Sequence, residues 1–321
     1  MLRPADLNQE QRHILRAMAA GIFLRDLRDI EGGKSYALHP LDGPAQTVSG
    51  DAVHALVDAG LISSNKKFPG ATYWLTDAGK AWVALGGTPA FALVPSPLTG
   101  PGVWALVAHE LARRGHRVLI ANPVDEAPDG RAFWQQHAES VASAINQSAI
   151  AQPLVLAGHS GAGPLLPAIA ARLAHPPTRI VFVDAGIGRA GWSRLDLLRD
   201  EGGGWFDAFE QDLRAGGAFP AWTDSDLADV IPNAALRQQT LRELRPRTLN
   251  FFAEKMSAPQ PNAPCAYIQF SAGYAQHAHL AEQRGWPVTR FEAGHFHMLV
   301  DPSAVAQALI EAQKADAAYR A

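Results

Sequence analysis

Two kinds of apolar spacing occur along this chain, and the point where one gives way to the other divides it. Over 7–20, Ile14, Leu15, Met18 and Ala19 recur at helical spacing, and over 48–59 Val53, Leu56 and Val57 share one helical face. Gly60-Leu61-Ile62 then leads into a polar turn at 63–70, the short run Tyr73-Trp74-Leu75-Thr76 and a helix over 77–85. After the Gly/Pro break Gly86-Gly87-Thr88-Pro89 the pattern changes. Short, mostly apolar runs at 90–95, 116–121, 153–158, 179–184, 264–270 and 287–292 alternate with helical stretches. Runs of that kind describe strands buried on both faces, and their alternation with helices predicts an α/β fold with a mostly parallel, six-stranded sheet. The chain therefore reads as two domains, 1–86 and 90–321.

The fourth and fifth of these strands are separated by about 80 residues, far more than a crossover needs. Helical patterns at 205–213, 224–230, 234–244 and 247–255 fill the gap, with Trp192, Trp205, Phe209, Phe219, Trp222 and Phe252 among them. An insertion leaving one edge of a parallel sheet predicts a helical cap over about 191–256, whose inner face would form an apolar pocket. Gly202-Gly203-Gly204 follows no strand and precedes no Lys-Ser or Lys-Thr pair, so it reads as a hinge of the cap rather than a phosphate loop. A last amphipathic segment runs over 303–318.

Candidate chemistry sits at the ends of the predicted strands. Leu154-Val155-Leu156-Ala157-Gly158-His159-Ser160-Gly161-Ala162-Gly163 is a strand running into a serine among small residues and then into a helix. Small neighbours let such a serine protrude from a strained corner and leave the next amide free for an oxyanion, which makes Ser160 the candidate nucleophile and Gly161 N–H the first oxyanion donor. A serine hydroxyl needs an imidazole to take its proton. His295, after Ala293-Gly294 at a strand end, is the expected base, with His297 its rival. The imidazole needs an orienting carboxylate, and Asp184 ends the strand Arg179-Ile180-Val181-Phe182-Val183. The later strand end, Ile268-Gln269-Phe270-Ser271-Ala272-Gly273-Tyr274, offers no acid.

With these residues in the order Ser160, Asp184, His295, the segment 90–321 resembles the α/β-hydrolase superfamily. Leu93-Val94-Pro95-Ser96-Pro97-Leu98-Thr99-Gly100, followed by Trp104, looks like the family's oxyanion loop. Where relatives place His-Gly and then an N–H donor, this chain has Pro95-Ser96-Pro97, and Pro97 carries no amide hydrogen. The second donor would be Leu98 N–H, Ser96, or absent. The resemblance also implies that two antiparallel strands usually found at the start of the fold are missing here. Residues 1–86 resemble a winged-helix module instead, with 55–62 like the recognition helix and first wing strand, and 73–79 like the returning strand and last helix.

Charge bears on whether that module binds DNA. Residues 1–86 hold nine Lys/Arg and nine Asp/Glu, and the recognition-like helix carries Asp51 and Asp58 without a Lys or Arg; only Lys66 and Lys67 would face phosphate. DNA is therefore not the expected partner. The module is expected to bury apolar surface against the other domain or against a second copy of the chain in a homodimer, covering an otherwise exposed sheet edge. A net charge of −3 over 321 residues, no apolar run of about 18 residues and no secretory core at the N-terminus point away from membranes and to the cytoplasm. Cys265 is the lone cysteine, which excludes an intrachain disulfide. His277-Ala278-His279 lacks the ligands that would complete a metal site, and the expected chemistry needs neither metal nor cofactor.

These readings converge on a serine hydrolase of the esterase type, cleaving a carboxylic ester, lactone or similar acyl compound with an apolar body through Ser160, His295 and Asp184, with Gly161 and Leu98 holding the oxyanion. The alternative is a ligand-responsive transcriptional regulator with a hydrolase-like sensor domain.

Overall fold

The computed structural model describes residues 7–28, 33–40, 43–67, 70–84, 89–125, 130–148, 150, 153–202, 204–257 and 259–313. The chain forms two compact units, Met1–Pro89 and Ala90–Ala321. Most of the Gly/Pro break at 86–89, and Gly203, fall outside the described residues.

The first unit runs α1 (Gln9–Ala19), β1 (Phe23–Arg28), β2 (Lys34–His39), β3 (Gln46–Val48), α2 (Gly50–Asp58), β4 (Ile62–Ser64), β5 (Thr72–Leu75) and α3 (Asp77–Ala84). Its strands lie in the order β3-β2-β1-β5-β4, antiparallel at every pairing. Asn8 and Gln11 close a reciprocal capping box on α1, which fixes where that helix begins. Ile14, Leu15, Leu24, Val53, Leu56 and Trp82 make the core. Three strands therefore separate α1 from α2, where a helix-turn-helix would place a second helix. The inward positions of β1 alternate Leu24 and Asp26, and the buried carboxylate of Asp26 is met by Lys34 Nζ at 2.6 Å, Tyr73 OH at 3.1 Å and the amide of Ala71. An acid on the core face hides that strand from a reading of apolar alternation.

The second unit begins with β6 (Ala90–Val94), α4 (Gly102–Arg113), β7 (Val118–Ile120), α5 (Phe133–Gln147), β8 (Leu154–Ser160), α6 (Leu166–Ala170) and β9 (Arg179–Ala185). Five helices follow: α7 (Arg194–Glu201), α8 (Phe206–Arg214), α9 (Asp224–Leu227), α10 (Ala234–Arg242) and α11 (Leu249–Ala253). The unit ends with β10 (Cys265–Gln269), α12 (Ala275–Gln283), β11 (Val288–Arg290), α13 (His297–Val300) and α14 (Pro302–Ala312). Its six strands pair in parallel in the order β11-β10-β9-β8-β6-β7.

Both faces of this sheet are covered, which explains the nearly unbroken apolar runs. Leu154 and Leu156 pack toward α5, α6 and α12, while Val155 and Ala157 on the other face pack toward α4 and α14. Helices α7–α11 form a cap with a small core of its own, built on Leu195, Phe206, Leu213, Phe251 and Phe252. The helix α7 lies outside the helical patterns read from sequence. Gly202, at φ 76°, ends it.

Polar side chains fix the cap to the sheet layers. Ala132, at the start of α5, offers no capping side chain; Glu254 from the cap accepts from Phe133 N at 2.7 Å and Trp134 N at 2.9 Å instead, and also pairs with Arg194 at 2.7 Å. Glu243 accepts from Gly102 N at 2.7 Å, and Arg247 grips Asp125 through both terminal nitrogens.

Candidate active site

The serine turn is built by close packing. Ser160 has φ 56°, in the left-handed region where a side chain is strained, and the β8–β9 register shifts between His159 and Ser160. A Cβ on Gly158 would stand 2.7 Å from Leu166 Cδ2, and one on Gly161 would stand 2.9 Å from Ser96 Oγ. The tightest approach falls at Gly163, where a Cβ would run into the carbonyl oxygen of Gly186. Ala162, at the last position of the motif, is itself tolerated in the core, so the departure from the five-residue pattern moves the essential glycine one place along.

Asp184, at φ 41°, is the penultimate residue of β9 and is fully buried. Its carboxylate accepts from Phe270 N at 2.8 Å, Ser271 N at 3.0 Å and Ser271 Oγ at 2.7 Å. Burial works against the charge, but His295 and the Ser271 donors outweigh it and hold the carboxyl below the usual range. His295 Nδ1 lies 2.7 Å from Asp184 Oδ2. A carboxylate only accepts, so Nδ1 carries the proton and Nε2 is left as the basic nitrogen.

The imidazole of His295 is sandwiched. Tyr274 stacks on it at 5.0 Å with planes 4° apart, and His159 lies at 4.4 Å on another side and donates Nε2–H to the His295 carbonyl at 2.9 Å. Burial pushes His159 down to about 3, so it stays neutral. The Ser160 hydroxyl meets Tyr274 OH at 3.3 Å, and burial raises the phenol of Tyr274 well above its ordinary value, keeping its proton in place. The structure thus joins Asp184 to His295 directly and places Ser160 on the same cavity, with its hydroxyl turned to Tyr274.

Leu98 lines the cavity over Ser160, and His297 stands behind it. The amide of Leu98 donates to Ser96 Oγ at 3.3 Å, and His297 packs against the rings of Phe270 and Phe291. Tyr274, Ser271 and His159 are site residues that the sequence reading leaves without a role. Tyr274 sits on the acid-free strand end, and no spacing rule singles out an aromatic ring there. His277 accepts from Ile187 N at its Nδ1 and faces Glu201 at 2.7 Å through Nε2, so it holds a loop and the cap together. Among the described residues no three His, Cys, Asp or Glu side chains gather as a metal site.

A cavity of about 470 Å³ opens over Ser160. The cap supplies Trp205, Phe209, Phe219, Trp222 and Phe252 to its wall, joined by Phe296. Four of these rings interlock edge to face, Phe209 with Phe219 and Phe252, and Phe219 with Trp222. Such a wall suits an apolar or aromatic group.

No family model matches the chain, and neither does any curated protein. Solved structures do. An extracellular α/β-hydrolase from a Paenibacillus species, described as sharing structural and functional homology with tobacco salicylic acid binding protein 2, is 21% identical over 70% of this chain and 98% of its own, with a TM-score of 0.58. Polyneuridine aldehyde esterase matches at 18% identity and a TM-score of 0.54, over 70% of this chain and 98% of its own. A variant of tomato methylketone synthase I complexed with β-ketoheptanoate matches at 14% and 0.51, over 70% of this chain and 97% of its own. At these identities the likeness establishes the fold, which is that of the α/β-hydrolases.

Proposed function

We propose that the chain is a serine hydrolase that cleaves a carboxylic ester, lactone or similar acyl compound with an apolar or aromatic body. The observation that carries the reading is the pair of the buried Asp184 and the half-buried His295 opening, beside the strained Ser160, onto an aromatic cavity. Ser160 Oγ attacks the acyl carbon and gives its proton to His295 Nε2. Asp184 keeps Nδ1–H in place and stabilises the imidazolium. His295 then protonates the leaving alkoxide, and water repeats the sequence on the acyl-enzyme. For this the Ser160 hydroxyl turns from Tyr274 to His295, a rotation about one side-chain bond.

Esterases among the structural neighbours support the reaction class. The test is a fluorophosphonate probe and a panel of p-nitrophenyl esters and lactones, on the native protein and on Ser160→Ala. The native protein is expected to be labelled at Ser160 and to turn over at least one acyl substrate; labelling or turnover that survives in Ser160→Ala overturns the assignment.

We read the first unit as winged-helix-like from the succession α2, β4, β5, α3, with β1–β3 as its departure. Its α2 carries Asp51 and Asp58 and no cation, which favours a role other than DNA reading. Among the described residues no helix is long and apolar enough to cross a membrane. A cytoplasmic setting is part of the same proposal.

A further inference from the structure

The loop after β6 offers no backbone donor at position 97, because the residue following Ser96 is Pro97. Leu98, the next amide, does not replace it, since its N–H donates to Ser96 Oγ at 3.3 Å. That bond fixes the role of the Ser96 hydroxyl. With its oxygen already accepting, the proton of Ser96 is free to donate, and among the described residues no acceptor meets it. Ser96 is buried at 1% exposure, yet it lines the cavity over Ser160. Its Oγ stands 2.9 Å from where a Cβ on Gly161 would be, so it flanks the residue whose amide is the expected first oxyanion donor. The backbone around it is also fixed: the Ser96 carbonyl accepts from Thr99 N at 3.0 Å and from Thr99 Oγ1 at 3.4 Å.

We infer that the Ser96 hydroxyl is a catalytic residue, the second oxyanion donor, standing in for the amide that Pro97 lacks. The inference rests on the hydrolase reading above. When Ser160 Oγ bonds to the acyl carbon, the carbonyl π pair moves onto oxygen; Gly161 N–H and Ser96 O–H donate to that anion, and Leu98 N–H, by donating to Ser96 Oγ, aligns the hydroxyl and strengthens it as a donor. No proton leaves Ser96 at any step.

The experiment measures the rate at which a fluorophosphonate, whose phosphoryl oxygen enters the same hole, labels Ser160 in the native protein, Ser96→Ala, Ser96→Thr and the double variant Ser96→Ala/Pro97→Ala. Ser96→Ala is expected to label about 10²–10³-fold more slowly, with turnover of a p-nitrophenyl ester reduced by a like factor in kcat and little in KM. Ser96→Thr keeps the hydroxyl and is expected to stay near the native rate. The double variant restores an amide at position 97 and is expected to regain part of the loss, which a purely structural role in the loop would not allow. Equal labelling rates for the native protein and Ser96→Ala overturn the Ser96 assignment and leave the hydrolase reading intact. A native protein whose Ser160 is not labelled overturns both.

Discussion

At the scale of the residue, two non-glycine positions stand in the left-handed backbone region beside the cavity, Ser160 at φ 56° and Asp184 at φ 41°. Such a conformation costs about 1–3 kcal/mol, which the surrounding packing must hold. Ser160→Gly is therefore expected to be more stable than Ser160→Ala by about 1 kcal/mol, although both lose the hydroxyl. Urea denaturation of the two variants decides it, and equal midpoints would show that the turn carries no strain. Asp184→Asn keeps an acceptor for the Phe270 and Ser271 amides but removes the charge opposite His295. Its kcat is expected to fall by up to about 10⁴ with KM little changed; full activity on a substrate that Ser160→Ala cannot turn over would place the acid elsewhere. Tyr274→Phe keeps the ring on His295 and is expected to retain kcat. Tyr274→Ala, losing the stack, should drop kcat by up to about tenfold, as the loss of 0.5–1.5 kcal/mol of ring contact implies. If the two variants behave alike, the stack does not position the imidazole.

At the scale of the element, what the sequence reveals depends on whether local chemistry agrees with local pattern. The central strands β6, β8, β9 and β10 are legible because both their faces are buried, and the meeting of Asp184 with His295 is legible because one lies at the end of β9 and the other on the loop after β11. Strand β1 is not, since Asp26 occupies its inner face, and α7 is not, since Arg194, Asp196, Arg199 and Asp200 interrupt its apolar positions. Tyr274 becomes visible as a site residue only when a 3₁₀ turn after β10 swings it onto His295. Glu254 shows how cap and sheet layers depend on one another: one carboxylate caps α5 and neutralises the buried Arg194. Glu254→Ala leaves that guanidinium buried without its partner and is expected to cost about 3–5 kcal/mol of stability. Denaturant titration measures this, and a loss under about 1 kcal/mol would mean that Arg194 finds solvent.

At the scale of the whole molecule, two buried histidines set a pH limit. Burial pushes His137 down to about 4 and His159 to about 3, while both return to about 6.5 in the unfolded chain. Between pH about 6.5 and 4 the unfolded chain therefore binds protons that the folded one refuses, so stability is full above this window and falls as pH drops through it. Each histidine contributes up to about 1.4 kcal/mol per pH unit there. The carboxyl of Asp184, held below its ordinary value, acts in the same direction only at lower pH. Hydrogen exchange of the β8 and β9 amides at pH 7 and pH 5, corrected for intrinsic rate, is expected to show weaker protection at pH 5; unchanged protection would mean that the histidines are hydrated in the folded state.

The cap also sets an order of assembly. Cys265 pairs beside Ile180, so β10 joins β9 only after the whole cap has been made, closing a loop of about 80 residues. A chain growing on the ribosome carries Ser160 and Asp184 long before Phe270, Ser271 and His295 exist. Until they arrive, the acid lacks its imidazole and three of its donors, so on the proposed reading a nascent chain is expected to be silent toward esters around it. On that reading reactivity arrives only with residue 295, and a probe for Ser160 would double as a reporter of chains in which β10 has joined the sheet.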